Sequence, residues 1–334
     1  IVDTGSSDGT QEIIRKHMES IPGELRERPW VDFAHNRNEA LQLAKKKGDY
    51  LLLIDADEVM SLKNPTFFQK LDKDYYYATI TQKNFEGQRV CLINTDQNWF
   101  WKGVIHETLD CFDLVHGEYQ TGVIISADAN DGHRSQDPDK VRKDALVLEK
   151  ALEKEPESTK YTQYLAQCYY ACDELELALK YYAKRAEMGG SEEEIFFSMY
   201  QVGVIQERLK YEPKVFLESF EKAYAFRPTR AEPLFHIARY WLMAGKFDKA
   251  YEIAQKGSKL PYPDDINQVA ANIYDYGMLS LLADSAYYLG KYEESKEIYT
   301  HVLGNERITP ALREAAEKMI QMSETKLAHS SIPY

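Results

Sequence analysis

The sequence predicts an α/β domain followed by an all-α array of helical repeats. Three observations carry that expectation. From Ile1 to about Ala127, short apolar runs alternate with polar stretches of helical spacing. After about Asp137 the helical spacing continues almost without interruption. Within that second half "LAQCYYACDELELALKYY", "IARYWLMAGKFDKAYEIA" and "LADSAYYLGKYEESKEIY" align without gaps. A chain of 334 residues suits two domains, since single cores stop growing near ~250 to 300 residues.

In order, "IVD" ends a strand and "SDGTQEIIRKHMES" opens on a Ser or Asp cap before a helix. "PWVDFA" reads as a second strand, "NRNEALQLAKKKG" as a helix stopped by Gly48, and "DYLLLIDAD" as a buried strand. Strand, helix, strand, helix, strand implies a largely parallel sheet, with ligands collecting outside the carboxyl ends of the strands. Asp3, Asp32 and Asp55 each sit at such an end. "YYYATITQ", "RVCLINT" and "FWKGVIHETL" follow as strands, before "DLVHGEYQTGVIIS".

In the repeats Leu165, Ile237 and Leu282 correspond, then Ala166, Ala238 and Ala283, then Ala178, Ala250 and Ser295; a looser copy ends in "FLESFEKAYAFRP". A small residue after a large apolar one, an aromatic three later and Ala in the next helix are what close helix-turn-helix packing requires. The pattern resembles the tetratricopeptide repeat over roughly residues 158 to 304. The tyrosines there, among them Tyr169, Tyr170, Tyr181, Tyr182, Tyr287 and Tyr288, fit packing between repeats. The resemblance leaves a groove for a peptide or a partner protein.

Composition excludes several classes. Apolar residues are 44% and charged residues 28%, ordinary for a globular protein. With a net charge of −13 and no basic run, a grip on nucleic acid is not expected. No apolar run approaches the ~18 to 20 residues of a membrane span. The four cysteines, Cys91, Cys111, Cys168 and Cys172, form no CxxC pair and fit a reducing compartment, hence a cytoplasmic expectation. The opening "IVDTGSSDGT", without an initiator Met, reads as the middle of a fold and leads us to expect an N-terminal truncation.

"LLLIDADEVM" then raises a question of charge. Four large apolar residues precede Asp55-Ala56-Asp57-Glu58, and carboxylates beside a buried strand need a cation. A nucleotide-triphosphatase strand would need GxxxxGK[ST], which is absent. "IDADEV" also resembles the opening motif of haloacid-dehalogenase-type phosphatases, although that motif usually sits on the first strand of its domain. "IVDTGSSDGT", "DFAHNRNEAL", "GDYLLLIDADE", "WFWKGVIHETL" and "DGHRS", in that order, resemble family 2 glycosyltransferases of the GT-A fold, including members that carry tetratricopeptide repeats. The likeness spans about residues 1 to 150. Family members have a further strand upstream that helps hold the nucleotide base.

This resemblance implies a glycosyltransferase domain over 1–135, a connecting helix over 136–157 and repeats over 158–334. It implies an inverting transfer from a nucleotide-sugar, a UDP-sugar foremost, to a peptide, protein or glycan acceptor, with the repeats holding acceptor or partner. Asp55 and Asp57 match the DXD motif: Asp57 on Mn²⁺ or Mg²⁺, Asp55 on the ribose or on the metal through water. Alternation along a strand would turn both to one side. Asp3 would face uracil or ribose, and the Arg37-Asn38 pair would lie at the donor, with Arg37 toward base or diphosphate. Glu107 is the expected base, His106 its orienting neighbour or a donor contact, and His133 a further metal ligand. Glu58 fits a helix cap or an orienting group, and Trp99, Phe100 and Trp101 fit sugar stacking or core packing alike. The reading from another class is a repeat scaffold with an inactive transferase domain.

Overall fold

The computed structural model describes residues 1–63, 66–82, 85–127, 137–265 and 269–330. They form two compact units, Ile1–Pro156 and Glu157–Tyr334.

The first unit opens with β1 (Val2–Asp3), α1 (Thr10–Met18) and β2 (Arg26–Glu27), the two strands pairing in parallel. α2 (Phe33–Ala44) follows. The expected strand at "PWVDFA" is not formed, because its backbone is claimed by side chains. Val31 N–H donates to Asn36 Oδ1 at 3.0 Å and Asn36 Nδ2 donates to the Pro29 carbonyl at 3.0 Å. Asp32 accepts the His35 N–H at 2.8 Å, so it caps a helix instead of ending a strand. That helix ends at Ala44, before Gly48, where Lys45 leaves helical geometry and Lys46 takes φ 66°.

β3 (Tyr50–Leu52), β4 (Glu58–Leu62), β5 (Tyr75–Gln82), β6 (Phe85–Asn94) and β9 (Gly117–Ala127) form one sheet in the order β3-β6-β5-β9-β4. Only β5 and β9 pair in parallel there, so the sheet is mixed and not largely parallel. The two residues between β5 and β6 leave no room for the crossover that a parallel pair requires. The predicted strand "FWKGVIHETL" is divided into an antiparallel pair, β7 (Trp99–Lys102) and β8 (Thr108–Cys111). Gly103, at φ 101°, makes the break. α3 (Lys140–Lys154) closes the unit.

Alternation along β6 feeds two cores. Leu92 packs with Tyr76, Ala78, Val123 and Ile125, while Ile93 packs with Leu41 of α2 and with Trp99. The sheet is thus covered on the α2 side, which brings α2 toward the ends of β3 and β6.

The second unit is a succession of helix pairs: α4 (Thr159–Ala171) with α5 (Leu175–Glu187), α6 (Glu192–Arg208) with α7 (Pro213–Phe226), α8 (Glu232–Met243) with α9 (Phe247–Gly257), and α10 (Met278–Tyr288) with α11 (Tyr292–Leu303). α12 (Pro310–Ser330) packs on α11. All six aligned small residues are fully buried, as close helix approach demands. In the looser copy Gly203 holds that place, where a Cβ would stand 2.7 Å from the ring of Phe220. Tyr169, Tyr182 and Tyr287 are buried between helices, whereas Tyr288 is exposed and stacks on Phe247.

Candidate functional site

The chain leaves β3, turns at Ala56 and Asp57, and enters β4 at Glu58. β3 and β4 are opposite edges of the sheet, so this short link crosses its end. A buried carboxylate needs a partner. Glu58, with a side chain only 4% exposed, has one in Arg89 of β6, whose Nη1 and Nη2 donate to Oε1 and Oε2 at 2.8 and 2.7 Å. Oε2 also accepts the Asp55 N–H at 2.8 Å, and the Glu58 N–H returns to the Asp55 carbonyl at 3.1 Å. Burial pushes the Glu58 carboxyl up. The Arg89 hydrogen bonds and the Asp55 N–H outweigh it and hold the group below the usual carboxylate range.

Asp55 lies between two guanidinium groups. Arg37 Nη2 donates to its Oδ1 at 2.7 Å, and Arg89 Nη1 stands 3.9 Å from its Oδ2. Arg37 also reaches Glu107 Oε1 through Nε at 2.7 Å, with its charge 4.9 Å over the Trp101 ring. One arginine on α2 therefore joins the predicted donor carboxylate to the predicted base. Trp101, His106 and Glu107 come from β7 and the turn after it, where His106 takes a left-handed φ of 50°. With Arg89 and with Lys140 and Asp144 of α3, these residues line a cleft of about 360 Å³, within the range of small-molecule sites. Its charged lining is balanced, Arg37, Arg89 and Lys140 facing Asp55, Glu107 and Asp144.

Other predicted residues sit elsewhere. Asn38 is turned to β7: its Nδ2 donates to the Trp101 carbonyl at 2.8 Å and its Oδ1 accepts the Trp101 N–H at 2.7 Å. It secures the cleft wall and does not line it. Asp3 is buried at the end of β1, where its Oδ2 accepts Gly5 N–H, Ser6 N–H and the Gln11 amide at 3.1, 3.2 and 2.9 Å. The Ser6 hydroxyl first, then these donors, hold its carboxyl below the usual range against the effect of burial. The cap of α1 is Gly9, in a left-handed conformation and without a side-chain cap bond, not the expected Ser or Asp; Asp8, one place before it, accepts the Thr10 N–H at 3.1 Å. Of the three aromatics, Trp101 lines the cleft, Trp99 is core, and Phe100 stacks on Phe112. His133 and its "DGHRS" stretch lie outside the described residues.

Alternation does not govern the DXD pair, because residues 53 to 57 have already left the strand. Asp55 lines the cleft. Asp57 is exposed and makes no side-chain hydrogen bond or ion pair among the described residues. No group of three His, Cys, Asp or Glu side chains among the described residues could hold a metal by itself. The donor set fits a divalent ion shared between one carboxylate, Asp57, and the phosphates and waters of a ligand, not a cage built of protein alone. Sequence reasoning missed Arg89, Lys140 and Asp144. The signal for Arg89 was a single cation opening the apolar run "RVCLIN".

Comparison with known proteins bears on the first unit. Residues 1–89 match the family model described as glycosyl transferase family 2. No curated protein matches the chain. Among solved structures, the chain is similar to YrrB, a TPR protein with an unusual peptide-binding site, at 14% identity over 54% of this chain and 84% of that one, with a TM-score of 0.40. It is similar to MamA of Desulfovibrio magneticus at 15% identity over 50% and 86% of the two chains, TM-score 0.40. A TPR protein of Thermus thermophilus follows at 16% identity over 55% and 91%, TM-score 0.38. Residues 1–89 are thus similar to family 2 glycosyl transferases within a mixed α/β unit, and a unit of successive helix pairs follows.

Proposed function

We propose that the first unit transfers a sugar, with inversion, from a UDP-sugar to a hydroxyl of a peptide, protein or glycan acceptor, and that the helix pairs hold the acceptor or a partner. The observation that carries this reading is the Arg37 bridge. It gathers Asp55 and Glu107 in one cleft, within a segment whose first part matches a sugar-transferring family.

In this reading Glu107 takes the proton of the acceptor hydroxyl while the oxygen forms its bond to the anomeric carbon and the bond to the diphosphate breaks. Its Oε1 is engaged by Arg37, which leaves Oε2 for the proton. Arg37 and Lys140 bring positive charge to the cleft that would receive the diphosphate. Asp57, with His133 as a further candidate, would hold Mn²⁺ or Mg²⁺, which supplies charge neutralisation to the leaving diphosphate. Trp101 closes one wall and keeps Arg37 stacked in place.

The test is calorimetric titration of UDP with and without Mn²⁺. Binding that requires Mn²⁺ and is lost in Asp57→Asn supports the site. Glu107→Gln should keep that binding and, with a competent donor, lose transfer by about 10²- to 10⁴-fold. Absence of UDP binding at millimolar concentration, with or without the metal, would overturn the proposal.

A further inference from the structure

Nothing in the DXD resemblance assigns a task to Arg89, yet it lines the cleft and grips Glu58 with two hydrogen bonds. The link from β3 to β4 runs across the end of the sheet from one edge to the other. Its tethers to the strands beneath are few. Leu53 N–H donates to the Cys91 carbonyl at 2.6 Å, and Glu58 takes the fork of Arg89. Arg89 and Cys91 both belong to β6, next to β3 and two strands removed from β9, the neighbour of β4. β6 therefore holds the crossing link at two points.

The second point fixes the acidic turn itself. Glu58 uses one carboxylate for three bonds, two to Arg89 and one to the Asp55 N–H, while its own N–H closes the turn on the Asp55 carbonyl. A planar guanidinium paired with a carboxylate through two parallel bonds sets direction as well as distance. The two residues inside this closed turn are Ala56 and Asp57. Their positions follow from those of Asp55 and Glu58, and Asp57 is left exposed without a partner of its own among the described residues.

We infer that Arg89 is a positioning residue: through Glu58 it fixes the Asp55–Glu58 turn and so presents Asp57 toward a metal-bound diphosphate. The inference rests on the function proposed above. Arg89 touches neither Asp57 nor, in this scheme, the metal. Its effect is geometric, so a lysine, which keeps the charge and loses the fork, is a poor substitute. Glu58 is the other half of the same device and not a ligand, because both its oxygens are already committed inside the fold.

The experiment is UDP titration by calorimetry, with and without Mn²⁺, on the full chain and on Arg89→Met, Arg89→Lys, Glu58→Gln and Asp57→Asn. Thermal unfolding followed by circular dichroism selects the variants that fold, and Arg89→Lys serves where Arg89→Met does not. We expect Arg89→Met and Glu58→Gln to weaken Mn²⁺-dependent UDP binding at least tenfold, Arg89→Lys to weaken it nearly as much, and Glu58→Gln, which lies outside the cleft lining, to leave any metal-free UDP binding within twofold. A general loss of structure would lower both components together. Folded Arg89→Met or Arg89→Lys protein that binds UDP with Mn²⁺ within twofold of the unaltered chain, while Asp57→Asn does not, would overturn this inference and leave the proposed function standing. Failure of the unaltered chain to bind UDP with Mn²⁺ would overturn both.

Discussion

Asn38→Ala separates a donor contact from a wall support. Asn38 closes the outward edge of β7 at Trp101 with two hydrogen bonds, at 2.8 and 2.7 Å. A net hydrogen bond contributes about 1 kcal/mol, and a polar group left unpaired in a half-buried place adds a further penalty. Water can reach part of this site, so we expect a total near 2 kcal/mol. For a unit the size of Ile1–Pro156, that corresponds to a lowering of the unfolding temperature by about 4 to 8 °C. The two units can unfold separately, so the signal must come from the first. Trp30, Trp99 and Trp101 lie there and Trp241 in the second, which makes tryptophan fluorescence in a Trp241→Phe background the assay. UDP affinity should fall less than tenfold, because Arg37 and Asp55 remain. An Asn38→Ala protein that unfolds at the unaltered temperature and yet loses UDP binding would refute the reasoning and make Asn38 a direct contact.

Two further predictions concern stability. Gly203→Ala sets a helix gain of about 0.5 to 1 kcal/mol against overpacking on the buried Phe220 ring, about 1 to 3 kcal/mol, so net destabilisation of the second unit is expected in urea unfolding. Gly257→Ala, whose Cβ meets first the terminal methyl of Met278, should cost less, since a thioether chain can turn aside; equal effects would sink the comparison. The Glu58 carboxyl lies below its ordinary value near 4.5. The stability it contributes is complete above that value and is lost as pH falls through the lowered one. Unfolding midpoints of the first unit measured from pH 7 to 3 should fall more steeply for the unaltered chain than for Glu58→Gln, and parallel profiles would contradict this.

The repeats were legible because their packing is local. A large residue followed by a small one, recurring beside an Ala in the next helix, is a steric requirement written within some twenty residues, and the burial of Ala166, Ala238 and Ala283 meets it. Strand order was not legible, because pairing across a sheet joins residues far apart in sequence: β6 lies between β3 and β5, and β4 lies at the far edge. "PWVDFA" failed for a different reason. The composition of a strand is there, but Asn36 and Asp32 offer its backbone nearer partners than a neighbouring strand could. Arg37, Asp55 and Glu107 could be named from motifs, while the bond from one arginine to both carboxylates depends on the fold that places α2 beside the β7–β8 turn.

Charge in the acidic turn explains why its three carboxylates are not equivalent. An apolar strand end needs a cation for each carboxylate it draws inward, and the protein supplies arginines. Glu58 is bound by Arg89, and Asp55 by Arg37 with Arg89 at a longer distance. Of the three, Asp57 stays exposed and without such a partner among the described residues. The two inward carboxylates are therefore satisfied without any ligand and can serve as fixed structure. In the function proposed above, the outward one would gain a counter-charge from a cation arriving with an anionic substrate. Such a division favours a metal that enters together with the phosphates over one resident in the protein. It also sets a direction of influence: a change at Asp55 disturbs Arg37 and through it Glu107, whereas a change at Asp57 leaves that bridge intact.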